Sequence, residues 1–275
     1  MSDASLRLVS LPLRWLPPGM GQHRVVRRIF DRWLAGSGPR TVEARVGGSA
    51  RFELDLSDYV QAQAFLTGRN DPSLVRFIAE RVGPGETYID VGAHIGLIAI
   101  AVAVRCPDSR VVALEPHPDN AARFSRNLAL SPGIDVELIN AAAGAELGTA
   151  NLGTGGAGSD YHRLEEGAAG LSVEVETIDR LCEQRAIERV SVLKLDIEGH
   201  EPFALRGAER MLKSGRIGTV VLEANDELLA ANGSSAEHLR TDLAGFGYRP
   251  TEIRLAGLNR WRSGPTHYEN VAFER

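Results

Sequence analysis

Cysteine is scarce: Cys106 and Cys182 are the only two in 275 residues. They exclude a disulfide-built fold and a cysteine zinc cluster, and they read as buried free thiols. No apolar run reaches the roughly 18 residues of a membrane-spanning helix. The start lacks the apolar run of a signal peptide, so the expected location is cytoplasmic. No internal repeat and no histidine pair at zinc spacing is visible. Net positive charge is also missing. A formal charge of −5 gives no overall electrostatic reason to bind nucleic acid.

What is present is an ordinary globular mix, 43% hydrophobic and 24% charged, with enough length for one large domain or a domain with an appendage. The charge is uneven. Residues 1–40 hold seven Arg and two Asp, a net +5, so the rest carries −10. This sets residues 1–40 apart as a basic N-terminal segment ahead of a domain at 41–275. Pro12, Pro17, Pro18 and Gly19 make residues 1–20 irregular in expectation. From Gln22 to Ala35, Val25, Val26, Ile29, Phe30, Trp33 and Leu34 recur at helical spacing among Arg24, Arg27, Arg28 and Arg32. Such a basic amphipathic helix is expected to pack on protein, its own domain or a homodimer mate. Association with an anionic membrane through residues 22–35 is the alternative.

Thr41–Val46 and Arg51–Leu56 around Gly47-Gly48 predict a β-hairpin, the entry element of the domain. Asp71-Pro72 predicts a helix start. Strand-like and helix-like segments then alternate. Strands are expected at 87–91, 110–114, 135–139, 171–176, 190–195, 219–222, 248–253 and 268–273. Helices are expected at 95–104, 118–130 and 177–186, from Pro202, and after a capping box of Ser234 and Glu237. The glycine-rich stretch 151–170 reads as a loop. Alternation of this kind implies an α/β fold. Its sheet is expected to be open and mostly parallel, with helices covering both faces. Ligands of such sheets sit beyond the carboxyl ends of the strands.

The first of those strands ends in Asp90-Val91-Gly92-Ala93-His94-Ile95-Gly96. The acid precedes the first glycine, unlike the GxGxxG of dinucleotide sites. Gly92 permits a sharp turn and close approach of a ligand, and Gly96 lets the next helix pack closely. An acid here repels a pyrophosphate and suits a cationic ligand, which fits S-adenosylmethionine. Glu115 ends the next strand, where a carboxylate can accept from ribose hydroxyls.

Tyr88–Gly96 and Glu115-Pro116 resemble the class I S-adenosylmethionine-dependent methyltransferases. Asn140-Ala141-Ala142, Val175–Asp179, Leu193–Glu201 and Glu269–Phe273 are similar to the FkbM-type family, over about residues 43–273. The resemblance implies an α/β, Rossmann-like class I methyltransferase sheet, mostly parallel with an antiparallel C-terminal strand, and S-adenosylmethionine as cofactor, held by Asp90, Gly92, Ala93, His94, Gly96, Glu115, Pro116, Asn140 and Ala141. It implies O-methylation of a hydroxyl on a sugar, polyketide or other small or lipid-like acceptor.

Asp196, Glu198, His200 and Glu201 follow the fourth strand, with Lys194 inside it. Methyl transfer to an alcohol requires placement of the oxygen and removal of its proton. Asp196, His200 and Glu201 are the candidate catalytic residues. His200 titrates near neutral pH. An acid at a central strand end needs a partner, which favours Asp196. Glu201-Pro202 also opens a helix, where an acid suits the dipole. Glu223 could join Asp196 around Mg²⁺, but no motif fixes that geometry and no metal site is assigned. The alternatives are a nucleotide-cofactor oxidoreductase, disfavoured by the missing GxGxxG, and a non-catalytic adenosylmethionine-binding module. A nucleic-acid methyltransferase is disfavoured by Asp196-Ile197-Glu198-Gly199, where a Pro-Pro-aromatic run is common.

Overall fold

A computed structural model describes residues 3–16, 21–36, 38–154, 162–165, 170–253 and 268–275. It opens with a helix, α1 (Asp3–Trp15), where irregular chain was expected. Pro12 lies inside α1 and has no N–H to give the Leu8 carbonyl. Tertiary packing overrides that loss, because Leu6 and Leu13 are buried. Residues 17–20, with Pro17, Pro18 and Gly19, lie outside the described residues. In α2 (Gln22–Trp33) the apolar stripe packs on protein. Val26, Ile29 and Phe30 are buried, and Phe30 meets Tyr59 edge-on at 5.2 Å.

The hairpin is β1 (Thr41–Arg45) paired antiparallel with β2 (Arg51–Asp55). An unforeseen helix α3 (Tyr59–Thr67) follows, its first turn capped by Asp58 accepting from the Gln61 N–H. In α4 (Pro72–Ala79) Asp71 is the cap, as its sequence suggested. The alternating part runs β3 (Thr87–Val91), α5 (Leu97–Arg105), β4 (Arg110–Leu114), α6 (Pro118–Ala129) and β5 (Asp135–Ile139). Next come β6 (Ala142–Ala143), β7 (Gly148–Thr154), β8 (His162–Glu165) and β9 (Leu171–Glu176), which form a second sheet in the order β6-β9-β7-β8. The stretch read as a loop therefore carries part of β7 and all of β8; residues 155–161 and 166–169 lie outside the described residues.

The chain continues through α7 (Ile178–Gln184), β10 (Val190–Leu195), α8 (Glu201–Gly207), α9 (Glu209–Lys213), β11 (Ile217–Asn225) and α10 (Asp226–Ala231). It ends with α11 (Ala236–Gly245), β12 (Arg249–Thr251) and β13 (Tyr268–Glu274). The cap of α11 is Ser235, accepting from the His238 N–H, one residue beyond the expected Ser234.

Among the described residues, the main sheet has seven strands in the order β12-β13-β11-β10-β3-β4-β5. β11, β10, β3, β4 and β5 are parallel, and β13 pairs antiparallel with both neighbours. This is the Rossmann-like class I methyltransferase arrangement. One face carries Tyr88, Val111, Val192 and Val221 in a core shared with Leu6, Val26, Phe30, Phe52 and Phe65. The N-terminal segment thus shares a core with the sheet. The other face carries Ile89, Val112, Leu193 and Val220 beneath the later helices. Strand order reverses at β3, with β4 and β5 added on one side and β10 and β11 on the other, so the crevice at the carboxyl ends of β3 and β10 is where this topology places a ligand. Among the described residues, no helix is long and apolar enough to cross a membrane.

Candidate active site

Two loops meet at that crevice. The first follows β3. Its turn is made by Gly92 (φ +77°), His94 (φ +52°) and Gly96 (φ +86°), all left-handed. A Cβ on Gly96 would lie 2.4 Å from the Phe124 ring of α6, so glycine lets the helix seat closely, as expected. A Cβ on Gly92 would lie 1.8 Å from the Asp196 carbonyl oxygen. The close neighbour of Gly92 is therefore the second loop of the protein itself. That junction is knit further by the Asp196 N–H donating to the Val91 carbonyl at 3.1 Å. The Gly92 and Ala93 N–H groups both donate to the Leu114 carbonyl, fixing the turn against β4.

Glu115 is buried at the end of β4. One carboxylate oxygen accepts from the His94 N–H at 2.8 Å. The other accepts from the His117 N–H at 3.0 Å and from Asn120 Nδ2 at 3.3 Å. Burial pushes this carboxyl up despite those bonds. Three of the roughly four acceptor directions of a carboxylate are thus used, and the oxygen facing His94 keeps one open. Asn140 spends its amide on the Glu115 and Pro116 carbonyls, at 2.7 and 2.9 Å. It shapes the turn that carries Glu115. Ala141 is buried beside it.

Asp90 does not face the crevice. It is wholly buried, and Lys194 Nζ donates to it at 3.1 Å. Strand register places Lys194 opposite Asp90, and alternation puts Tyr88, Asp90, Lys194 and Val221 on one face. The cation that Asp90 meets is therefore a lysine of the same chain. Lys194 also lies 3.0 Å from Asp196. Burial would lower the Lys194 ammonium, but Asp196 and Asp90 outweigh it and hold its pKa above the ordinary value. Burial raises Asp90 despite Lys194. For Asp196, burial pulls upward, yet Lys194 and a hydrogen bond with Glu223 hold it below the ordinary range.

Among the three expected catalytic residues, Asp196 presents 32% of its side chain to solvent, whereas Glu201 is 1% and His200 9% exposed. His200 sits at the cap of α8 with its ring against Phe203, centroids 5.6 Å apart. Glu201 accepts from the Ile197 and Gly199 N–H groups at 3.0 and 3.4 Å, so it holds the second loop in shape. Carboxylate oxygens of Asp196, Glu198 and Glu223 come within 4.8 Å of one another. Oxygen donors of this kind suit Mg²⁺. The Lys194 ammonium already supplies positive charge to Asp196.

Sequence reasoning gave Asp71 only the role of a helix cap and left Lys194 as a strand residue. Asp71 caps α4, and burial raises its carboxyl while Lys194 and Asp196 act on it, which places that helix end beside the cluster. Three of the four non-glycine residues at positive φ in the described chain, Asp71, His94 and Glu198, gather here. Left-handed backbone at a non-glycine residue costs about 1–3 kcal/mol and concentrates at functional sites. Spacing alone could not have found Lys194. The signal was its charge inside an otherwise apolar strand.

Burial pushes the Glu201 carboxyl up to about 7. Between its unfolded value near 4.5 and about 7, the folded state holds the extra proton, so this group's contribution to stability falls as pH rises through that window. Above it, burying the charge costs about 3 kcal/mol. Glu201→Gln keeps an acceptor for the loop and removes the titration. In urea unfolding at pH 5 and pH 8, the variant is expected to gain on the wild type at pH 8 relative to pH 5. Parallel stabilities across that range would show that Glu201 is not buried as charged.

The methyltransferase FkbM domain family matches residues 90–250 of this chain. The hexuronic acid methyltransferase AglP of Haloferax volcanii is 28% identical over 194 residues, spanning 69% of this chain and 78% of that protein. Among solved structures, the precorrin-6y C5,15-methyltransferase of Geobacter metallireducens aligns with 75% of this chain and 90% of that one, at 16% identity and a TM-score of 0.44. A SAM-dependent methyltransferase from Agrobacterium tumefaciens aligns with 85% of this chain and 69% of that one, at 11% identity and a TM-score of 0.47.

Proposed function

This chain belongs to the FkbM methyltransferase family, and from that membership we propose that it methylates a hydroxyl oxygen of a sugar or sugar-like acceptor. The cofactor is S-adenosylmethionine, which supplies an electrophilic methyl group when bound. The site fits it: Glu115 is pinned by backbone N–H groups and keeps one acceptor direction open, suited to a ribose hydroxyl. Asn140, by donating to the Glu115 and Pro116 main-chain carbonyls, fixes the turn that carries that carboxylate. Gly92, Ala93, His94 and Gly96 form the turn beside it, and Asp90 acts at a distance by fixing Lys194 beneath both loops.

The observation that carries the acceptor side is the state of Asp196. It lies 3.0 Å from the Lys194 ammonium, which helps hold its pKa below the ordinary range, is partly open to solvent, and is in backbone contact with the cofactor loop at Gly92. Such a carboxylate can take the hydrogen bond of an acceptor hydroxyl, orient the oxygen and receive its proton as the new C–O bond forms. Glu201 positions the loop rather than touching the acceptor, and His200 lies back against Phe203. The similarity to a hexuronic acid methyltransferase supports a sugar-type acceptor over other alcohols.

Incubation with methyl-labelled S-adenosylmethionine and a panel of sugars and uronic acids, read by mass spectrometry, tests this reading. Label on a sugar oxygen is expected. Label confined to nitrogen or carbon, or cofactor binding without turnover on any acceptor, contradicts it. The cofactor half has its own test. Glu115→Ala should weaken S-adenosylmethionine binding in calorimetry by about 1.5–3 kcal/mol, the worth of one hydrogen bond to a charged group. Unchanged affinity in a folded variant removes Glu115 from the cofactor site.

A further inference from the structure

Outside the crevice, the outer side of α1 is apolar and open to solvent. Along that helix, Leu6 and Leu13 are buried, whereas Leu8, Leu11 and Trp15 are 68%, 54% and 86% exposed. The three exposed residues are spaced three and four apart, so they share one outward face. Leu16 continues it at 37% exposure. The strongly amphipathic helix in the sequence is α2, which turns Val26, Ile29 and Phe30 into the domain and leaves Val25 and Trp33 partly exposed at the margins of its stripe. The more exposed apolar face belongs to α1.

Beside this face lies a hollow of about 640 Å³ between α1, the β1–β2 hairpin and α3. Arg7, Arg14, Arg45 and Arg51 line it, over Phe65, with Glu43 as the one carboxylate. Arg51 already pairs with Glu43 at 2.8 Å. Arg7 donates to the Glu43 main-chain carbonyl at 2.9 Å, and Arg14 donates to the Phe65 carbonyl at 2.8 Å. Carbonyls orient these guanidinium groups without neutralising them. Burial and the neighbouring charge of Arg7 both lower the Arg14 pKa, a sign that positive charge is crowded here. Guanidinium groups match phosphate oxygens in a planar fork and are the side chains of choice for that contact. Residues 41–275 carry a net −10, so the four arginines of this hollow stand out beside the exposed apolar face.

We propose that α1 and the β1–β2 hairpin form a docking surface for an anionic lipid bilayer. Lipid phosphates enter the arginine-lined hollow, and Leu8, Leu11 and Trp15 enter the interfacial layer. An apolar helix face flanked by arginines, with an exposed tryptophan, matches the chemistry of such a surface on both counts. The orientation that results is peripheral.

Flotation of the full chain with vesicles tests this. Phosphatidylcholine vesicles containing phosphatidylglycerol are expected to carry the protein, and pure phosphatidylcholine vesicles are not. Binding should weaken as salt is raised. The triple variant Leu8→Ser, Leu11→Ser, Trp15→Ser alters only exposed side chains. It should partition roughly tenfold or more weakly while binding S-adenosylmethionine normally. Arg45→Gln should cost roughly fivefold, the worth of one basic residue at an anionic surface. Failure of the wild type to float at low salt, equal flotation with neutral vesicles, or full retention of binding by the triple variant would each overturn the proposal. Saturable binding of inorganic phosphate without vesicle binding would overturn it in favour of a soluble anion.

Discussion

Lys194→Met should lower unfolding stability by about 3–5 kcal/mol in urea at pH 7, the usual cost of stripping one partner from a buried ion pair. The reason is local. Lys194 is 3% exposed and lies between Asp90, at 1%, and Asp196, at 32%. Asp196 can turn to water when the ammonium is gone, but Asp90 cannot. Its carboxyl, already raised by burial, would move further up and bind a proton in the folded state. The deficit should therefore shrink toward acid pH, where protonation removes the orphaned charge. Adding Asp90→Asn to Lys194→Met should recover much of the loss, because both buried charges then leave together. A single variant within about 1 kcal/mol of the wild type would show that the ammonium is not the counter-charge Asp90 depends on.

Asp196→Asn should lower kcat by about 10²–10⁴-fold, the usual contribution of a general base, with S-adenosylmethionine affinity unchanged. The substitution keeps the shape of the side chain and the backbone contact with Gly92. It removes the charge that receives the proton. Lys194 retains Asp90 as a partner, so the fold should survive, and circular dichroism with cofactor calorimetry would confirm that the variant is loaded. Single-turnover rates on the acceptor found in the labelling assay give the readout. A loss under about tenfold would mean that placement alone drives the chemistry and that Asp196 only orients.

How much of this was legible beforehand depends on whether the information was local. The acid-first glycine turn, the strand ends at Glu115 and Asp196 and the antiparallel final strand lie in short runs, and the structure places them at one crevice. Asp71 as a helix cap was equally local. α3 was also announced, by Asp58 three residues before Gln61, but that cap went unread. By contrast, α1 was hidden by Pro12. Its stability comes from Leu6 and Leu13 meeting the rest of the core, which no window of sequence shows. β7 and β8 were hidden by glycines that lower strand propensity yet still pair in register. The pairing of Lys194 with Asp90 joins residues 104 positions apart, so only strand register could reveal it. Asp90 itself was identified as important for a different reason from the one the structure gives: the positive charge it meets comes from the protein.

The place of β13 in the sheet has a consequence for how the molecule is made. β12 pairs with β13 alone, and β13 sits between β12 and β11, with Asn270 opposite Glu223. Synthesis delivers β3, β4, β5, β10 and β11 first, and they can assemble by successive right-handed crossovers. β12 emerges before the strand it needs and must wait unattached. Until residues 268–274 arrive, the flank of β11 beside Glu223 is an open edge, the kind of surface that recruits stray strands. The flank beside the pocket is thus closed by a strand that leaves the ribosome after all the parallel ones, and a nascent chain lacking that strand would expose a sticky margin next to the acidic cluster.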